Sequence, residues 1–279
     1  MIGLEARAEQ VRLARTLGVE PTELEFLMGA SEADLRALRE AVAEQLFARD
    51  RRHFEGMVKL AKRLPAPLAA TLAQRALGPR LAAGAANVLP PEMAKDMIKR
   101  LPAPFLADVA GHADVRRIAP LLAKVPPETT REIARLLAQR GEWVVMGAFV
   151  SHLNKQSLEA AISVLDAEAL LRTGFVIEDK PKVVDATVRM LSDQRLNDYA
   201  RQAVELDLLP EALDLAGHLT RRQVKRLAQA LASLSDEQLE VLVARVRSEP
   251  VLEAAAAELL EVAPLRVRAA AGMPDPVDE

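Results

Sequence analysis

The strongest constraint on the fold is a pair of interleaved proline-marked junctions that return at a nearly constant interval. LPAPLAATLAQRA begins at Leu64 and LPAPFLADVAGHA at Leu101, an offset of 37 residues. Between and beyond them, NVLPPEMAKDMI places its Leu at 89 and AKVPPETTREIA places the equivalent Val at 125, an offset of 36. Two markers returning together define an internal repeat of 36–37 residues. At each junction a hydrophobic residue ends one helix and proline interrupts the hydrogen-bond ladder. A second proline then sits in the first turn of the next helix, where no donor is needed. Glu92 and Glu128 fall in first turns, facing free amides. Each repeat is therefore expected to hold two or three short helices.

Later junctions lose proline but keep the chemistry of a helix start. Leu153 precedes Asn154, Leu165 precedes Asp166, Leu191 precedes Ser192, Leu219 precedes Thr220, and Leu234 precedes Ser235. In each case a capping side chain follows a terminal leucine and an amphipathic segment follows the cap. SHLNKQSLEAA at 151–161 and GHLTRRQVKRL at 217–227 also resemble each other.

Composition agrees with helices. Half of the residues are apolar but only 3% are aromatic, so leucine and alanine must do the packing. The expected fold is all-α: an irregular right-handed superhelix, or solenoid, of short helix pairs with proline-marked junctions. Before the repeats, residues 6–17, 21–28 and a longer helix from Ser31 form a helical module, 1–57. The first repeat subdomain is 58–173. Gly174 and the EDKPK stretch mark a connector, 174–182, before a second repeat subdomain, 183–263. The Pro- and Gly-containing segment 264–279 reads as a flexible tail.

The junction residues resemble those of the cytoplasmic N-terminal superhelical domain of MgtE magnesium transporters, which is itself similar to helical units of the flagellar switch protein FliG. LPAP at 64–67, LPPEMAKDMIKRLPAP at 89–104 and VPPETTREIARLL at 125–137 carry this likeness, which extends over 58–170. It implies a superhelix used for regulation or assembly. No apolar stretch here provides a transporter's membrane domain, and no acidic position aligns with a magnesium site.

Charge and residue usage exclude several function classes. With 37 Lys and Arg against 40 Asp and Glu, the chain lacks the positive field of a protein that grips phosphates along its length. It has no cysteine, which removes disulfides, thiol catalysis and cysteine-ligated zinc. The most apolar stretch, Val144 to Val150, is far short of the ~20 residues that span a bilayer. No signal-peptide core is present, and the expected location is cytoplasmic.

No phosphate loop, serine elbow or dinucleotide fingerprint occurs, so no catalytic or cofactor-binding residue is assigned. His53, His112, His152 and His218 are solitary, three of them near helix ends, and no metal ligand is assigned. RLARTLGVEPTELEFL at 12–27 has the Ala14, Gly18, Leu24 and Leu27 spacing of a helix-turn-helix. Its second helix, however, carries Glu20, Glu23 and Glu25 where phosphate contacts call for cations. Arg49, Arg51 and Arg52, together with Arg221, Arg222, Lys225 and Arg226, form two basic faces for an anionic partner, against the plainer reading of solvated helix surface. Trp143, Met146 and Phe149 form an apolar group that either packs between repeats or anchors a partner protein.

These observations point to a non-enzymatic helical-repeat scaffold or regulatory interaction module. The expected partner is a protein, a homodimer is compatible with the pattern, and nucleic acid is disfavoured. The alternatives are nucleic-acid association through the N-terminal turn and basic faces, or a helical enzyme or metal sensor whose site is assembled from distant repeats.

Overall fold

The computed structural model describes residues 3–27 and 29–273, and every regular element among them is helical. α1 (Leu4–Leu17) is followed by a 3-10 segment (Pro21–Leu27) and by the long α2 (Glu32–Ala61). α3 (Ala66–Leu72) passes through a π turn (Ala73–Leu77) into α4 (Gly78–Ala86). Then come α5 (Pro91–Ile98), α6 (Ala103–Ala110), α7 (Val115–Leu122), α8 (Pro127–Gln139), α9 (Trp143–Val150) and α10 (Lys155–Ile162). The remaining helices are α11 (Ala167–Phe175), α12 (Lys180–Met190), α13 (Asp193–Glu205), α14 (Leu209–Ala216), α15 (Arg221–Leu231), α16 (Asp236–Ser248), α17 (Pro250–Glu261) and α18 (Leu265–Ala270).

The proline junctions break the helices as their chemistry dictates. Pro65, Pro90, Pro102 and Pro126 stand at the N-caps of α3, α5, α6 and α8, with φ between −56° and −68°. The residue ahead of each closes the preceding turn: Leu64 N donates to Ala61 O, Leu89 N to Ala86 O, Leu101 N to Met97 O and Val125 N to Leu122 O. Where proline is missing, side chains take over. Asn154 Oδ1 accepts from Ser157 N at 2.9 Å, Asp166 Oδ1 from Ala169 N at 2.8 Å, and Ser192 Oγ from Arg195 N at 3.3 Å. At Thr220 and Ser235 the backbone N–H donates to Gln223 Oε1 and Gln238 Oε1, the reciprocal half of a capping box. The 36–37-residue interval contains three helices, since α3 to α5 are followed by α6 to α8 at the same spacing.

The chain divides into two compact units. The N-terminal unit comprises Gln10–Leu24 and Ala33–Leu165, and the C-terminal unit comprises Met1–Glu9, Glu25–Glu32 and Asp166–Glu279. Residues 1–57 are thus shared between the units, and 174–182 lies inside the C-terminal one, where it takes in the end of α11, the connection 176–179 and the start of α12. α18 occupies part of the segment expected as a tail, while 274–279 lie outside the described residues.

Within each unit the helices stack in a repeating, superhelix-like pattern in which each contacts the helix two places on. In the N-terminal unit α3, α5, α7 and α9 form one row, and α4, α6, α8 and α10 the other. In the C-terminal unit α11, α13, α15 and α17 follow the same rule, as do α14, α16 and α18, and α14 also packs against α11 and α17. Helices of eight or nine residues are too short to be stable alone, so this burial between neighbours is what holds them.

Close approach at small residues sets the packing. A Cβ built on Gly84 would lie 2.2 Å from the Phe54 ring, so α4 meets α2 at a site where any larger residue would have to displace that ring. Gly174 does the same for Leu215, 2.7 Å away. Ala94, Ile118, Leu121 and Leu122 form a core cluster between α5 and α7, against which Leu89, Ile98 and Phe149 pack.

Candidate functional site

Two features of the molecule have the concentration of chemistry expected of a functional site. The first is a charged network in the C-terminal unit. α12 begins at Lys180, whose side chain turns inward until only 1% of the residue is exposed. Its Nζ donates to Asp214 Oδ2 at 2.6 Å and to Glu5 Oε2 at 2.9 Å, and lies 5.3 Å from the centre of the Phe175 ring. His218 follows α14, one turn beyond Asp214, and brings Nε2 within 3.0 Å of Glu5 Oε1. Arg7, one turn along α1 from Glu5, pairs with Glu249 at 2.8 Å. Glu249 also takes a 2.8 Å bond from Arg245, which in turn reaches Asp207 at 2.8 Å. The N-terminal residues are thereby held to the unit by two ion-pair networks.

Electrostatics separates the two carboxylates of the first network. Burial pushes Glu5 upward, but hydrogen bonds and charge from His218 and Lys180 outweigh it and hold this acid at about 2. Asp214 is more deeply enclosed, and there burial wins over Lys180, raising its pKa. Burial also raises Glu211, and it raises Tyr199 with further help from the charges of Asp214 and Glu211.

Glu5, Asp214 and His218 offer ligand atoms within 4.8 Å of one another, the spacing of a cation site. The ammonium of Lys180 already supplies the positive charge between the two carboxylates. A divalent ion bound there would have to displace it or lie against it. The donor set is therefore explained as an ion-pair network that neutralises a buried lysine. A cavity of about 40 Å³ is lined by Tyr199, Leu213, Leu227, Leu242 and Leu259. It has room for roughly one water, against the several hundred Å³ of a small-molecule site.

The second feature is a surface of the N-terminal unit. From Gly56 to Pro91 the chain contains no Asp or Glu but carries Lys59, Lys62, Arg63, Arg75 and Arg80, all exposed. Their side chains, and those of Arg49 and Arg52, form no ion pair with any described residue. Elsewhere arginines are widely paired, as at Arg15–Glu142, Arg117–Glu44 and Arg140–Asp108. The same stretch exposes Leu60 (65%), Leu64, Leu68 (58%), Leu72 and Leu81. α3 shows the arrangement most clearly: Ala69, Ala70 and Ala73 are buried, while the larger Leu68 and Leu72 face solvent.

The residues singled out in the sequence fall in varied places. Met146 is buried, Phe149 packs partly buried on the core cluster, and Trp143 is half-buried at the start of α9. Arg49, Arg51 and Arg52 are exposed on α2, with Arg51 paired to Glu55 at 2.9 Å. Arg221, Arg222 and Lys225 are exposed on α15. Arg226 instead bonds Asp193 at 2.6 Å and the carbonyl of Leu191 at 2.9 Å, tying α15 to the start of α13. The two basic faces belong to different units. At 12–27 Gly18 makes the left-handed turn (φ 72°), but the second element is a 3-10 segment on which Glu23 and Glu25 are exposed.

Sequence reasoning missed the network that joins Glu5, Lys180, Asp214 and His218. Its bonded pairs are 34, 175 and 213 residues apart; the local signals were the one-turn spacing of Asp214 and His218 and a lysine at a helix start preceded by apolar Phe175, Val176 and Ile177. Among the described residues no helix is long and apolar enough to cross a membrane. No protein-family model, curated protein or solved structure matches this chain.

Proposed function

We propose that the chain is a non-enzymatic, cytoplasmic helical-repeat scaffold that binds a protein partner through the surface that the acid-free stretch 56–91 forms from the end of α2 to α4. The observation that carries this reading is the coincidence of exposed leucines with unpaired cations between Leu60 and Leu81. Large apolar side chains grouped on a surface mark an interaction site, and a helix that buries its alanines while showing its leucines has a second face to cover. The network around Lys180 is structural in this reading, since its charges are already matched within the unit. The resemblance of the junctions to a superhelix used in regulation or assembly supports the same role.

A photoreactive side chain placed at Leu68 tests this in the native cell, with the same group at Lys155, exposed on α10, as the control. Adducts of discrete mass from position 68 and none from 155 are expected. No adduct, or the same smear from both positions, would sink the reading.

A further inference from the structure

We propose that the partner of the α2–α4 surface is a second copy of this chain, docking through the outer face of α16 to α18 in a head-to-tail contact. This inference rests on the interaction reading above and adds the identity of the occupant.

Charge is distributed along the chain very unevenly. Residues 49–100 hold eleven Lys and Arg against four Asp and Glu, although the whole chain carries a net charge of −3. The compensating acids include a distinct group near the C-terminus. Glu237 and Glu240 on α16, and Glu253, Glu258 and Glu261 on α17, are exposed, and none of their side chains forms an ion pair with a described residue. The inward sides of both helices are ordinary core: Leu239, Leu242 and Val246 on α16, and Leu252, Ala256 and Leu259 on α17. Among the outward carboxylates lie exposed apolar groups, with Val241 at 49%, Leu265 at 59%, and Ala254 and Ala257 between the glutamates of α17.

Each surface lacks what the other has. The α2–α4 surface offers large leucines among unpaired cations. The α16–α18 surface offers Val241, Ala254, Ala257 and Leu265 among unpaired anions, an apolar ground against which leucines can pack. Each is the start or the end of the helical stack in its own unit, where a terminal repeat would ordinarily present a polar outer face.

Two different patches meeting make a heterologous contact. Such a contact leaves one basic and one acidic surface unfilled on every pair, so further copies add until a ring closes or a filament forms. An isologous dimer through the leucine surface would instead bring its cations against each other. Complementary potentials of this kind set which surfaces meet and in what register, while the buried leucines supply the adhesion.

Sedimentation velocity of the full chain over a concentration series is the test, with three charge-reversed proteins. The first carries Lys59→Glu, Lys62→Glu and Arg63→Glu; the second carries Glu253→Lys, Glu258→Lys and Glu261→Lys; the third carries all six. The parent is expected to grow past the dimer as concentration rises and to revert towards monomer in about 1 M salt, where the Debye length is about 3 Å. Each three-site variant should remain monomeric alone. Mixing the two, or combining all six changes in one chain, should restore assembly. Restoration cannot come from misfolding, and far-UV circular dichroism checks the helices of each variant.

A parent that stays monomeric at every concentration overturns the inference. So does a second variant that assembles like the parent, which would show that the acidic face is not used. Co-sedimentation of a monomeric parent with anionic phospholipid vesicles, lost in the first variant, would overturn it in favour of a lipid surface. A monomeric parent that still forms discrete adducts to another protein from position 68 would leave the scaffold reading intact and remove only the self-association.

Discussion

Lys180 and Asp214 form a pair in which the ammonium lies 2.6 Å from a carboxylate oxygen, with both side chains at 3% exposure or less. Lys180 is the first residue of α12 and Asp214 belongs to the last turn of α14, so the pair fixes how these helices meet. Removing one partner leaves the other buried and unmatched. Lys180→Met is expected to lower the stability of the C-terminal unit by about 3–5 kcal/mol, and Lys180→Met with Asp214→Leu by clearly less. Urea unfolding of the single and double variants checks this. Equal losses in the two would mean that the lysine acts through its stem and not its charge.

Glu5 gives the network a pH dependence of known sign. Its folded pKa is about 2 against an ordinary 4.5, so the unfolded chain takes up the proton first on acidification. The stability that Glu5 contributes is present above about pH 4.5 and is lost as the pH falls towards 2. Asp214, whose pKa burial raises, works in the opposite sense, because the folded state takes up that proton more readily. The difference between parent and Glu5→Gln isolates the first effect. That variant should be less stable by about 1 kcal/mol at pH 6, since Glu5 is partly solvent-facing, and the gap should close below pH 4. A gap that persists to pH 2 would assign the loss to packing.

Much of this architecture was legible because helix ends are local. Pro90 and Pro126 each stand at the N-cap of a new helix, and Asn154, Asp166 and Ser192 cap one within three residues, so chemistry read along the chain placed these boundaries. What escaped is non-local. The placement of Glu5 in a unit with Asp166–Glu279 depends on contacts more than 170 residues away, and the run Phe175 to Pro181 reads as a loop until Lys180 is seen to be buried. The α2–α4 surface was half visible: Arg49 and Arg52 stood out as cations, but nothing in the sequence marks Leu68 and Leu72 as exposed, because a helical stripe does not say which face turns inward.

Packing at Gly84 yields a prediction for the N-terminal unit. A methyl group there would meet the ring of Phe54, on α2, at 2.2 Å. Gly84→Ala should destabilise by about 1–3 kcal/mol through overpacking. Adding Phe54→Leu should recover part of the loss, because a smaller, flexible side chain can make room for the methyl. Thermal unfolding of the two single variants and the double variant tests the coupling. Additive losses would show that α4 simply shifts away from α2.

The exposed leucines separate stability from interaction. Leu68 and Leu72 lie on the outer face of α3, away from the buried Ala69, Ala70 and Ala73, and are 58% and 46% exposed. Leu68→Ser with Leu72→Ser is therefore expected to leave the urea midpoint within about 0.5 kcal/mol per site of the parent. The same change should lower binding of a hydrophobic dye to the folded protein, because it removes two large members of an exposed apolar group. A core leucine such as Leu122, changed in the same way, should cost several kcal/mol and raise dye binding as packing loosens. A large loss of stability from the α3 pair would mean that these leucines are covered within the chain, which would remove the basis for an interaction surface there.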